Sequence, residues 1–149
     1  MISTPSMSIL LNGTPTETFK PSYGLRQGDP LSLFLFIIAV DGLGILIKAR
    51  VSSGELKGLI LWGEELTIRH QQFVDDVMMY SRTNLKEAKK LVEILAEFTN
   101  TSGTEVNKDN TEIFFFNTPM VAQGFLARTM GLITGNFRTK YLGVQLSDK

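Results

Sequence analysis

The chain has 149 residues, 43% of them hydrophobic and 20% charged, a composition typical of one globular domain with its own core. Fifteen basic and fifteen acidic residues cancel, so the sequence lacks the net basic charge that an independent nucleic-acid-binding domain usually carries. The absence of cysteine excludes disulfides and cysteine-ligated zinc, and a single histidine argues against a histidine-rich metal site. No basic segment followed by an apolar core opens the sequence, so we expect no signal peptide.

Short apolar runs separated by turn signals predict strands. Asn12-Gly13 is a dipeptide typical of two-residue hairpin turns, so residues 6–11 and 14–19 are expected to pair. Further strands are predicted at residues 56–62, 66–73, 77–81, 112–116 and 141–146.

A long helix is predicted to begin at Asp29-Pro30, because aspartate is a preferred N-cap and proline a preferred first helical residue. We expect it to continue to about Arg50 and to be buried, since residues 31–40 are apolar on nearly every face. This apolar run stops at Asp41 and is shorter than the roughly 20 residues that cross a bilayer, so no membrane segment is expected.

Two further helices are predicted in the C-terminal half. Asn84 and Glu87 have the spacing of a capping box, and apolar residues then follow at helical intervals until Ser102-Gly103. The apolar face of this helix comprises Leu85, Ala88, Leu91, Val92, Leu95 and Phe98. Thr118-Pro119 is expected to begin a helix that ends near Met130. The order of elements predicts one domain over residues 1–149, of α+β class, with an antiparallel sheet and packed helices.

Two adjacent carboxylates, Asp75 and Asp76, lie between apolar residues that include Phe73, Val74 and Val77. Aspartate is a poor strand former, and an apolar environment raises the free energy of a charged carboxylate. The pair therefore either occupies the exposed tip of a hairpin or is neutralised by a cation. Mg²⁺ prefers such hard oxygen ligands and commonly takes one or two carboxylates together with substrate phosphates. The residues alone leave both alternatives open.

Taken together, several motifs resemble the palm of a reverse transcriptase, specifically that of plant non-long-terminal-repeat (LINE-like) retrotransposons. The most specific motif is residues 24–32, which read Gly-Leu-Arg-Gln-Gly-Asp-Pro-Leu-Ser, and Phe73-Val74-Asp75-Asp76 follows it in the family's order. Supporting motifs are Ser102-Gly103, Asn107, Glu112-Ile113-Phe114-Phe115 and Tyr141-Leu142-Gly143-Val144.

The resemblance implies an RNA-directed DNA polymerase that uses Mg²⁺ or Mn²⁺, with an RNA template, a DNA primer and a deoxynucleoside triphosphate as partners. In such enzymes two metal ions activate the primer hydroxyl and stabilise the leaving pyrophosphate. The resemblance assigns Asp75 and Asp76 as catalytic metal ligands and suggests a nuclear or cytoplasmic location. It also implies residues that contact nucleic acid or nucleotide: Arg26, Gln27 and Gly28 towards template and nucleotide, and Tyr141, Leu142 and Gly143 towards the primer.

Each of these residue sets also has a purely structural interpretation. Residues 27–28 could simply form the turn that precedes a helix, and residues 141–146 could be a core-facing strand. Three consecutive phenylalanines, Phe114, Phe115 and Phe116, could stack on bases, but we expect them to pack in the core.

The sequence also departs from the family pattern. Members carry a further catalytic aspartate on an upstream strand, whereas the 23 residues before Gly24 contain none. Leu33 replaces the usual proline, and Asn110 replaces a lysine for which Lys108, on the same face of a strand, could partly substitute. We therefore expect a fragment with little polymerase activity alone, or a non-catalytic binding remnant or decayed reading frame. Loss of the upstream strand also predicts an unpaired sheet edge and self-association through it.

Overall fold

The computed structural model describes residues 6–22, 24–61, 66–137, 140–141 and 143–145 and confirms the α+β class. The α-helices are α1 (Pro30–Ser52), α2 (Leu85–Ser102) and α3 (Met120–Met130), and a 3₁₀ helix spans Lys108–Asn110. The strands are β1 (Leu10–Leu11), β2 (Thr14–Pro15), β3 (Leu59–Leu61), β4 (Leu66–Ile68), β5 (His70–Phe73), β6 (Asp76–Met79), β7 (Glu112–Ile113), β8 (Ile133–Thr134), β9 (Lys140–Tyr141) and β10 (Val144–Gln145).

The strands pair two by two. Four pairs are antiparallel (β1–β2, β3–β4, β5–β6 and β9–β10), and β7 pairs with β8 in parallel. Within the described part of the chain no ladder joins another, so both outer edges of the β5–β6 hairpin lack a strand neighbour there. The strands are therefore shorter than predicted, because a two-stranded ribbon has little to stabilise it beyond its turn.

Helix α1 begins where the sequence predicted. The Asp29 carboxylate accepts a hydrogen bond from the Leu31 amide at 2.9 Å, and Pro30 is the first helical residue. The prediction that this helix is buried is wrong for its first half, since Phe34 is 63% and Ile38 69% exposed. An apolar surface indicates that a helix needs a partner, but it does not indicate whether the described chain supplies one.

The length argument against a membrane segment is also wrong. Helix α1 continues past Asp41 to Ser52, and its 23 residues are long and apolar enough to cross a bilayer by length and composition alone. Core helices of soluble proteins satisfy the same two criteria.

The core lies between the second half of α1 and helix α2. Its buried members are Leu43, Ile47, Leu56, Leu91 and Ile94. Met79 from β6 and Met130 from α3 pack against this cluster, so it anchors both the hairpin and the last helix. At its margin the Arg50 guanidinium forms an ion pair with Glu97 at 2.6 Å, which links the end of α1 to α2.

Helix α2 has the predicted cap and end. The Asn84 side chain accepts a hydrogen bond from the Glu87 amide at 2.9 Å. The Glu87 carboxylate is buried and accepts a hydrogen bond from the Arg82 amide at 3.0 Å, so it orders the chain before the helix. Gly103 ends the helix with φ = 71°, a left-handed conformation that glycine adopts without strain.

The predictions around α3 need two corrections. The N-cap is Pro119 and not Thr118, whose carbonyl instead accepts a hydrogen bond from the Gln123 side chain at 2.7 Å. Strand β7 ends at Ile113, so the phenylalanines that follow do not alternate across a strand. Phe116 is 59% exposed rather than in the core, although its ring contacts Phe137 with centroids 5.9 Å apart.

Candidate active site

The two aspartates occupy the tip of a tight hairpin. Strands β5 and β6 pair with Phe73 opposite Asp76, which leaves only Val74 and Asp75 in the turn. Val74 has φ = 53°, a left-handed conformation that is rare for a β-branched residue and costs free energy. Both carboxylates are exposed. Of the two alternatives from the sequence, the structure places the pair at an exposed tip, an arrangement that also leaves it accessible to a cation.

The hairpin has one face towards the core and one face away from it. Residues that pair across an antiparallel ladder lie on the same face, and successive residues alternate between faces. His70 pairs with Met79, which packs on the core. Asp76 is three residues from Met79 and therefore lies on the opposite face, the outer face of the hairpin.

Tyr80 lies with Asp76 on this outer side, and Tyr141 lies within range of the Asp76 charge. The Tyr80 hydroxyl donates a hydrogen bond of 2.7 Å to the Gln71 side chain. Burial, followed by the negative charge of Asp76, raises the pKa of Tyr141, and burial followed by the neighbouring Tyr141 raises the pKa of Tyr80. The Tyr141 hydroxyl is shielded from solvent and has no hydrogen-bond partner among the described residues. Tyr141, 65 positions after Asp76 in sequence, therefore lies within range of the Asp76 charge.

Sequence reasoning did not find the Tyr80–Gln71 hydrogen bond. The signal for it was present, because both residues lie on the outer face once the turn is fixed at Val74-Asp75. The strands predicted at residues 66–73 and 77–81 leave three residues between them, whereas the turn has two, so the predicted strand ends imply a different register.

The two aspartates are donors of the type that a hard cation prefers. Asp75 and Asp76 take part in no ion pair or side-chain hydrogen bond within the described ranges, so their oxygens are free to bind. Carboxylates suit Mg²⁺ or Mn²⁺, whose remaining positions are filled by water or substrate phosphates. No cluster of three or more histidine or acidic side chains occurs among the residues that the structure describes.

The predicted template-binding residues lie outside the hairpin, ahead of helix α1. Arg26, Gln27 and Gly28 are exposed and form the turn before α1, where the Asp29 amide donates to the Arg26 carbonyl at 3.3 Å. Gly28 has φ = 85°, a conformation that favours glycine. In the described chain no hydrogen bond joins this turn to the hairpin tip.

The other predicted positions fall near the C-terminus. Gly143 lies in the turn between β9 and β10 with φ = 80°, and Tyr141 pairs with Val144. Leu142 lies outside the described residues.

The suggestion that Lys108 shares a face with Asn110 is wrong. Both residues lie in a 3₁₀ helix and not in a strand, because the Asn107 side chain caps it by accepting from the Asp109 amide at 3.1 Å. Side chains two residues apart in a 3₁₀ helix are about 120° apart around the axis and do not lie on one face.

Comparison with known proteins gives two matches. The family model described as reverse transcriptase (RNA-dependent DNA polymerase) matches residues 1–146. An uncharacterized mitochondrial protein of Arabidopsis thaliana is 40% identical over 67 residues, which are 45% of this chain and 55% of the relative. The chain thus aligns with a little over half the length of this curated relative. Because the family model covers nearly all of its residues, the chain belongs to the reverse transcriptase (RNA-dependent DNA polymerase) family.

Proposed function

We propose that the chain is the palm region of an RNA-directed DNA polymerase from a plant non-long-terminal-repeat (LINE-like) retrotransposon. Family membership supports nucleotidyl transfer with an RNA template, a DNA primer and deoxynucleoside triphosphates. The similarity to a plant protein and the motif at residues 24–32 support the finer assignment.

The observation that carries this proposal is the presentation of Asp75 and Asp76 at an exposed hairpin tip. The left-handed Val74 lies in a two-residue turn, so both aspartates are at the tip of a ribbon that is anchored in the core through Met79. We assign Asp75 and Asp76 as the ligands of Mg²⁺ or Mn²⁺. A bound ion supplies charge neutralisation for the triphosphate and activation of the primer hydroxyl.

The remaining roles belong to residues beside the carboxylates or before α1. Tyr141 lies near Asp76 and is assigned, with Leu142 and Gly143, to the primer strand. The backbone of the turn before α1 is exposed and open to a ligand, which supports contacts of Arg26, Gln27 and Gly28 with template and nucleotide.

The chain alone is expected to extend primers poorly. Two-metal phosphoryl transfer needs enough ligands to hold both ions, and the family pattern includes a further aspartate besides Asp75 and Asp76. A longer reading frame, with an aspartate-bearing strand upstream of Met1, would complete the set. Sequencing the native transcript upstream of the Met1 codon tests this directly.

The metal site is tested with Mn²⁺, whose unpaired electrons broaden the NMR signals of nearby amides. We expect selective broadening at Asp75 and Asp76, and its loss in Asp75→Asn. Asp109→Asn is the matched control, because it removes one exposed carboxylate in the 3₁₀ helix and should leave the broadening unchanged. Absence of broadening at the hairpin would refute the assignment.

Activity is tested by primer extension on an RNA template with Mg²⁺ or Mn²⁺, using both this chain and a version extended upstream. The extended version should be active, and Asp75→Asn should abolish that activity. Extension that is indifferent to Asp75→Asn would contradict the proposed mechanism.

A second candidate is a non-catalytic remnant that binds RNA or primer–template. This candidate is favoured because the described residues contain no cluster of three or more potential metal ligands. It predicts salt-dependent binding that survives Asp75→Asn, and absence of binding at low salt rules it out.

A further inference from the structure

Two cationic side chains and the histidine lie together at the opposite end of the hairpin from the aspartates. Lys48 from α1, Arg69 from the β4–β5 junction and His70 at the start of β5 line a shallow cavity of about 270 Å³ together with Ile68. His70 lies three residues from Phe73, roughly 10 Å along the strand, and on the core-side face of the hairpin. The cavity is therefore separate from the candidate metal site.

No ion pair neutralises this cluster within the described residues. Among the described residues, ion pairs involve only Arg50 and Lys90 as cations, so neither Lys48 nor Arg69 is neutralised there. The Arg69 Nε is shielded from solvent and has no acceptor within the same ranges. Burial, followed by the charges of Lys48 and Arg69, lowers the pKa of His70.

The His70 ring lies against helix α1. A Cβ on Gly44 would lie 3.1 Å from the His70 Nε2, so the imidazole rests against the α1 backbone where glycine leaves room for it.

We propose that Lys48, Arg69 and His70 form a binding site for a phosphate group. A guanidinium presents a planar set of donors that matches phosphate oxygens, an ammonium adds a compact positive charge, and a protonated imidazole can donate a further hydrogen bond. An oxygen of the ligand would satisfy the Arg69 Nε. The zero net charge of the chain conceals this local excess of positive charge.

The phosphate can come from a nucleic-acid backbone or from a free anion, and His70 provides a probe that distinguishes them. It is the single histidine of the chain, so its imidazole signals in an NMR spectrum are unambiguous. A phosphate bound beside the ring should shift these signals and raise the pKa of His70, because a nearby anion favours the protonated form. The two probes are inorganic phosphate and a single-stranded RNA oligonucleotide, each titrated into the full chain without divalent metal.

The variant Lys48→Gln/Arg69→Gln should abolish the His70 response. It should also lower the slope of log K against log salt for the oligonucleotide by about 1.4, the value for two lost phosphate contacts on a single strand. The control Lys86→Gln/Lys89→Gln changes the net charge equally and removes exposed cations from α2, and it should retain the response.

A response to both probes supports a phosphate site that a free anion can fill, and a response to RNA alone supports a site for the backbone. If neither probe shifts the His70 signals, or if both double variants weaken binding equally, the proposal is overturned. If the Lys48→Gln/Arg69→Gln variant does not fold, the titration of the wild-type chain alone still tests the proposal. Asp75→Asn should leave the His70 response intact, so failure of the metal site and failure of the phosphate site are distinguishable.

Discussion

The strained turn at Val74 makes a quantitative prediction about the stability of the hairpin. Val74 has φ = 53° and is 58% exposed, so its side chain gains little from burial while its backbone adopts a disfavoured conformation. A left-handed L-residue costs about 1–2 kcal/mol. Replacement by glycine removes that cost but adds about 0.5–1 kcal/mol of backbone entropy lost on folding. The expected result of Val74→Gly is a gain of about 0.5–1 kcal/mol in the free energy of unfolding.

The matched control is Val77→Gly, in the same hairpin. Val77 is 36% exposed and lies in β6, where it pairs with Gln72 in ordinary extended conformation. Glycine there relieves no strain, loses packing and should cost about 1–2 kcal/mol. Urea denaturation followed by circular dichroism measures both variants. If Val74→Gly destabilises the protein as much as Val77→Gly does, the turn is not strained and the argument fails.

Three further predictions concern other parts of the molecule. Asn84→Ala should lower the free energy of unfolding by about 1 kcal/mol because it removes the cap of α2. Asn100→Ala, at an exposed position in the same helix, should leave the free energy of unfolding unchanged. Thermal melting compares the two variants. Ile38→Gln should reduce self-association of the chain with little loss of stability, whereas Ile47→Gln should prevent folding, since Ile38 is 69% and Ile47 only 1% exposed. Size-exclusion chromatography measures the association. Unchanged association in Ile38→Gln would contradict self-association through the exposed apolar surface of α1. The raised pKa of Tyr141 means that the folded chain holds this proton more tightly than the unfolded chain, so stability should be full below about pH 10 and fall above it. Tyr141→Phe should reduce that fall, as followed by denaturation between pH 8 and 11, and an unchanged profile would show that Asp76 and burial do not act on this hydroxyl.

Local signals in the sequence predicted what depends on neighbouring residues. The caps at Asp29 and Asn84 and the end of α2 at Gly103 follow from side-chain and backbone chemistry within a few positions, and the structure confirms them. The position of α3 was wrong by one residue, because Thr118 and Pro119 are both plausible at a helix start and only the tertiary context selects between them.

Features that depend on distant partners could not be predicted in the same way. The apolar pattern of α1 indicated burial, yet the described chain covers only its second half, around Leu43 and Ile47. The aspartate pair was recognised from a motif, whereas its proximity to Tyr141 required the fold. The cavity of Lys48, Arg69 and His70 carries no motif, since its members come from two separate segments.

The alternation of faces along the β5–β6 hairpin limits which insertions and deletions the chain can accept. Met79 packs on the core, and Asp76 lies on the other face of the same strand. Adding or removing one residue between them would exchange the two faces, so that either the aspartate would point into the core or the methionine would leave it. A change of two residues would preserve the faces and only lengthen or shorten the ribbon. The candidate site therefore depends on the parity of the spacing between these residues as well as on the carboxylates themselves.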